Sequence, residues 1–92
     1  EKLEFTYRLA RIYDKSGNTK KAVENYTETL EQGADYPFYF AANSALLLGN
    51  IYKASGNTEK ARYYYKKCLS LNYDEYRSGI SQKAKAGLSQ LK

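Results

Sequence analysis

Apolar residues recur along the chain at helical spacing, and polar turn residues interrupt them at regular intervals. Phe5, Leu9, Ile12 and Tyr13 stand at i, i+4, i+7 and i+8, one face of a helix. Ser16-Gly17-Asn18-Thr19 stops it, because Gly17 accepts the left-handed backbone that ends helices and Asn18 or Thr19 can cap the next one. Ala22, Val23, Tyr26 and Leu30 then share a second face, closed by Gly33. Pro37 suits the first turn of a third helix, with Asp35 or Tyr36 as its cap. Ala41, Ala45, Leu48, Ile51 and Tyr52 carry that helix to Ser55-Gly56-Asn57-Thr58, where the turn is repeated. Ala61, Tyr65, Cys68 and Leu69 make a fourth helix. Asp74 caps a fifth, lined by Ile80, Ala84, Leu88 and Leu91.

The turn is not the only thing repeated. Leu9, Ile12, Tyr13, Gly17, Ala22, Tyr26 and Leu30 return as Leu48, Ile51, Tyr52, Gly56, Ala61, Tyr65 and Leu69, at a constant offset of 39 residues. Identity through a turn and both flanking helices marks a duplicated helix–turn–helix unit. The pattern predicts five helices, two units and a half: one small domain over 1–92, with units at about 3–33 and 37–72 and a capping helix at about 74–91.

Composition narrows the chemistry. The 92 residues contain no His and one Cys. The commonest general base and the commonest metal ligand are therefore missing together, and neither a metal site nor a cofactor is expected. An internal disulfide is impossible with one Cys. No apolar run approaches the roughly 20 residues of a membrane-spanning helix. The net charge is +5, and 53–92 hold nine basic against three acidic residues while 1–31 balance at six each, so the excess belongs to the last two helices. The chain opens Glu-Lys-Leu and has no Met, which reads as the C-terminal piece of a longer repeat array.

The residues Leu48-Gly49-x-x-Tyr52, then Gly56, Ala61, Tyr65 and Leu69, resemble the tetratricopeptide repeat; Leu9, Ala10, Tyr13, Gly17, Ala22, Tyr26 and Leu30 fill the same places in the first unit. The resemblance implies an all-α, right-handed solenoid of antiparallel helix–turn–helix repeats, and a protein-interaction or scaffolding role. It also implies a concave groove lined by the first helix of each repeat. In that register the lining is Tyr7, Arg8, Arg11 and Asp14, then Asn43, Leu46, Leu47, Asn50 and Lys53. Such a mixed surface suits an extended peptide or a partner helix, although one of Leu46 and Leu47 is better read as packing on the last helix. A subset of the family clamps a partner's C-terminal carboxylate; its positions fall on Tyr7, Arg11, Leu47, Ser81 and Lys85, and only Lys85 fits. The family's Trp position falls on Thr6 and Ala45, with Phe5 near enough to compensate. The period exceeds the usual of about 34, and the excess around 33–40 reads as an extra turn carrying Phe38, Tyr39 and Phe40. With Tyr36 these rings cannot all point inward, so one or two are exposed as anchors or pack on a neighbouring segment, or else they brace the helix on Val23 and Leu30. The likeness is nearest to bacterial repeat proteins, cytoplasmic or envelope-associated, with no targeting signal in the sequence.

Other candidates have simpler readings. Glu24, Glu28 and Glu31 share a helix face, but acid–base work needs burial or a converging partner, so a solvated face is favoured. Cys68 falls in a small-residue core slot, matched by Thr29, and no His activates it. No enzyme is expected. The Ser-Gly-Asn-Thr turns lack the Lys-Ser/Thr of a phosphate loop. Arg62-Tyr63-Tyr64-Tyr65-Lys66-Lys67 interleaves bases with rings as single-stranded nucleic-acid binders do, yet Tyr65 belongs to the core pattern and the run lies on an outer helix, so nucleic acid is the weaker reading. A purely structural role as the cap of an array is a further alternative. Phe5, Leu9 and Ile12 have no helix before them, which offers a route to self-association through the N-terminal end.

Overall fold

A computed structural model describes residues 2–33, 38–71 and 77–91. Five helices follow one another: α1 (Lys2–Lys15), α2 (Thr19–Gly33), α3 (Phe38–Ala54), α4 (Thr58–Ser70) and α5 (Arg77–Gln90). No strand occurs among the described residues. The proposed caps Asp35, Tyr36 and Asp74, and Pro37, lie outside them.

The two Ser-Gly-Asn-Thr turns are built alike. Gly17 and Gly56 adopt φ of 85° and 86°. In the first turn the Asn18 N–H bonds to the Tyr13 carbonyl at 2.9 Å and the Gly17 N–H to Asp14 at 3.2 Å; Asn57 and Gly56 repeat this on Tyr52 and Lys53. This pair of bonds satisfies carbonyls that a helix end leaves open. The Asn side chains then cap the next helix: Asn18 Oδ1 accepts from the Lys21 N–H at 3.3 Å and Asn57 Oδ1 from Lys60 at 3.1 Å. The hydroxyls of Ser16 and Ser55 donate back to the carbonyls of Tyr13 and Tyr52.

Each turn folds its helices into an antiparallel pair, α1 on α2 and α3 on α4. The pairs stack through α2 on α3, and α5 covers α4 and α3. Small residues set the close approaches: Ala10, Ala22, Ala41, Ala42, Ala45, Ala61 and Ala84 are fully buried. Tyr26 and Tyr65, at equivalent places, are the largest fully buried side chains. Cys68 and Thr29 fill the matching core slots, and the Thr29 hydroxyl donates to the Asn25 carbonyl at 2.8 Å. Ile80 and Ala84 are buried, and Leu88 and Leu91 pack at the core edge, as the spacing of α5 predicts.

Phe5 does not compensate for the missing Trp: it is 63% exposed, and Ile12 is 60% exposed. The counterpart of Phe5, Ser44, is buried, because α3 packs against α1 and α2 on one side and α4 and α5 on the other, whereas α1 packs only on α2 and α3. The extra turn of α3 takes one of the forms expected of it, with rings packed on a neighbouring segment. Tyr39 and Phe40 pack on α1, with the Tyr7 ring centroid 6.3 Å from Tyr39 and 5.1 Å from Phe40.

Candidate partner-binding surface

One face of the molecule is built from α1, α3 and α5, with α3 touching both others. The core tyrosines hold its polar residues in place from beneath. Tyr26, rooted in α2, donates its hydroxyl to Asp14 Oδ2 at 3.0 Å. Tyr65, rooted in α4, donates to Asn50 Oδ1 at 2.6 Å. The partners differ because the counterpart of Asp14 is Lys53, which cannot accept; Tyr65 turns instead to the residue one helical turn earlier. Asn50 thus uses its oxygen on the core, and its amide N–H groups have no partner among the described residues. Arg11 Nη1 donates to the Tyr7 hydroxyl at 3.2 Å, and Asn43 Nδ2 donates to the same oxygen. The bond to Tyr7, outweighing desolvation, raises the Arg11 pKa above its ordinary value. Lys53 reaches across to Gln90 of α5, and Arg8 pairs with Glu4 at 2.6 Å.

Of the nine residues placed here by register, Arg8, Arg11 and Asn50 are exposed, and Asp14, Asn43, Leu47 and Lys53 are half-buried. Two are corrected. The Tyr7 ring is 6% exposed, because Tyr39 and Phe40 of the lengthened α3 lie against it and only its hydroxyl serves the surface. Leu46 is 3% exposed: α3 has α1 and α2 on one side and α4 and α5 on the other, so less of its circumference remains free. Both residues support the face from within. The Lys53–Gln90 link and the hydroxyls of Tyr26 and Tyr65 were not visible in the sequence as parts of this surface.

Burial pushes the Tyr26, Tyr64 and Tyr65 hydroxyls above the ordinary phenol value of 10.0, and the Asp14 carboxylate raises Tyr26 further. The folded chain therefore keeps these protons after the unfolded chain has lost them. Their stabilising contribution is complete below about pH 10 and declines as pH rises beyond it. Melting temperature is expected to be level between about pH 7 and 9 and to fall above about pH 10, with Tyr26→Phe flattening the fall. Thermal melts followed by circular dichroism would check this; an unchanged alkaline slope in Tyr26→Phe would contradict it.

Glu24, Glu28 and Glu31 are exposed, and Glu28 only accepts from Gln32 at 3.3 Å. Cys68 is buried. No group of three or more metal-ligating side chains occurs among the described residues. No described helix is long and apolar enough to cross a membrane. In the basic aromatic run, Tyr65 is fully buried, Tyr64 is half-buried and stacked on Tyr52, and Tyr63 alone of the three rings stands exposed.

A sequence model of a family described as tetratricopeptide repeat matches residues 3–73. No curated protein and no solved structure matches the chain.

Proposed function

Because the chain belongs to the tetratricopeptide-repeat family, whose members serve protein–protein interaction and scaffolding, we propose that it is a non-catalytic binding module. Its α1–α3–α5 face takes an extended segment of a partner protein. The observation that carries this reading is the Tyr65–Asn50 bond, which fixes an exposed amide with its N–H groups turned away from the core. An amide held that way is ready to donate to a peptide carbonyl without first losing rotamer freedom. Arg11, steadied on Tyr7, adds a cation at the equivalent place of α1, and Leu47 adds apolar surface. A peptide backbone offers acceptors at regular intervals, and its side chains supply charge and apolar contact. Single-stranded nucleic acid fits less well, since a stacking platform needs several exposed rings and this chain presents Tyr63 alone of its run.

A photoreactive amino acid at position 47 is expected to cross-link a protein of different sequence in cells of the source organism, whereas the same residue at position 28, on the far side of α2, is not. Cross-links to a protein of different sequence arising from position 28 alone would overturn the reading.

A further inference from the structure

The two hairpins share one register, so each serves as a control for the other. On the outer helices the two differ at several places, and in rings at one: Glu24 and Asn25 of α2 become Tyr63 and Tyr64 of α4. The first hairpin folds without rings there, so the hairpin itself does not require them. Tyr64 has a structural use. It stacks on Tyr52 at 5.7 Å with the planes 7° apart, and it lines the same cleft as Thr27 of α2. Tyr63 has none. Its ring rests edge-on against Tyr64 at 4.9 Å and remains 59% exposed. It stands at a cleft between α2 and α4 that Thr27, Leu30, Glu31, Tyr64 and Lys67 also line.

The charges beside this cleft are arranged by helix. The outer row of α2 reads Lys20, Glu24, Glu28, Glu31; the equivalent row of α4 reads Glu59, Tyr63, Lys67, Ser70, with Lys66 next to it. At two of the four places the signs are opposed, Lys20 answering to Glu59 and Glu28 to Lys67, while Glu24 and Glu31 answer to the uncharged Tyr63 and Ser70. Lys21 and Lys60 are the like-signed pair. Each is drawn over a ring of its own hairpin, Lys21 over Tyr13 at 5.9 Å and Lys60 over Tyr52 at 5.1 Å.

We propose that this α2–α4 face binds a second copy of the chain, about a two-fold axis lying in the face and running along the helices. That axis sets α2 of one copy opposite α4 of the other at the same height. Lys20 then meets the partner's Glu59, Glu28 meets the partner's Lys67, and the two Tyr63 rings flank the axis. A two-fold across the helices would instead oppose α2 to α2, acid against acid, so the charge pattern selects one arrangement. Two helices of about 20 Å, about 10 Å apart, offer about 400 Å² per copy, half of a standard stable interface. The association is accordingly weak, concentration-dependent and stronger at low salt. It does not depend on the partner-binding face.

Sedimentation velocity from micromolar to millimolar protein tests it, with folding of each variant checked by circular dichroism. Wild type is expected to dimerise, and Tyr63→Ala to weaken the dimer by at least about tenfold. One charge variant combines Glu24→Lys, Glu28→Lys and Glu31→Lys; the other combines Lys66→Glu and Lys67→Glu. Each alone is expected to stay monomeric, because it opposes like charges, and an equimolar mixture of the two is expected to restore the dimer. The proposal is overturned if wild type stays monomeric at millimolar concentration, or if the mixture stays monomeric. It also fails if both variants still self-associate alone, which would place the contact at the exposed Phe5 and Ile12.

Discussion

Tyr65→Ala is expected to cost about 3–5 kcal/mol, enough to bring the chain close to unfolding at room temperature. The cost follows from filling: removing a fully buried ring loses its transfer free energy and leaves a cavity that rigid helices close only in part. The ring is shared by three helices, standing on α4 and lying against Gly49 of α3 and Gly87 of α5. A domain of this size has a total stability of about 5–14 kcal/mol, so one substitution removes a large part of it. Tyr65→Phe separates the two roles of the residue. It keeps the ring and loses the bond to Asn50, at a cost of about 1 kcal/mol, while freeing the Asn50 side chain to rotate. Chemical denaturation would measure both variants. A loss below about 1.5 kcal/mol in Tyr65→Ala would mean that the ring is not the filling element described here.

The second large effect is a reversal of sign among glycines. In a helix, Gly→Ala ordinarily stabilises by about 0.5–1 kcal/mol, because alanine loses less backbone freedom on folding. Gly79 should behave that way, since a Cβ there meets nothing within 4 Å. At Gly49 a Cβ would come to 2.6 Å from Tyr65 Cδ1 and Cε1, and at Gly87 it would overlap Cζ of the same ring. Those contacts are too short to accommodate without moving a helix, and overpacking of this kind costs about 1–3 kcal/mol. Gly49→Ala and Gly87→Ala are thus expected to destabilise, and Gly79→Ala to stabilise. With Tyr65→Leu in the background the clash is relieved, so the penalty at Gly87 should shrink by at least about 1 kcal/mol. Additive effects in that double variant would show that the ring and Gly87 are not in contact.

The sequence was most informative where structure is local. The 39-residue offset, the Gly17 and Gly56 turns and the buried faces of α2 to α5 appear as the spacing predicts, whereas in α1 Phe5 and Ile12 stand exposed and Tyr7 and Ala10 are buried instead. Repetition also located Tyr26 and Tyr65 in the core, since a residue kept at both copies of one place does the same packing work twice. The candidate surface was legible only as a register. Arg11 and Asn50 stand exposed at their expected places, but Tyr7 and Leu46 do not. Their burial depends on how far α3 extends over α1 and on α3 having neighbours on both sides, and no spacing rule contains either fact. Tyr39 and Phe40 were ambiguous for the same reason: adjacent helical residues point in different directions, and which ring finds a partner is settled by a helix more than 30 residues away. The Lys53–Gln90 link joins residues 37 apart and has no local signature at all.

The account rests on the Arg11–Asn50 row of the α1–α3–α5 face as the place where a partner chain is held. The most direct test is the position-47 cross-link repeated in a chain carrying Arg11→Ala and Asn50→Ala. Both residues are exposed and outside the core, so folding is expected to be preserved, as a thermal melt would confirm. The account predicts that the adduct formed by the otherwise wild-type chain is reduced at least about tenfold, in line with the loss of two oriented polar contacts. An adduct of undiminished yield to the same partner would contradict it.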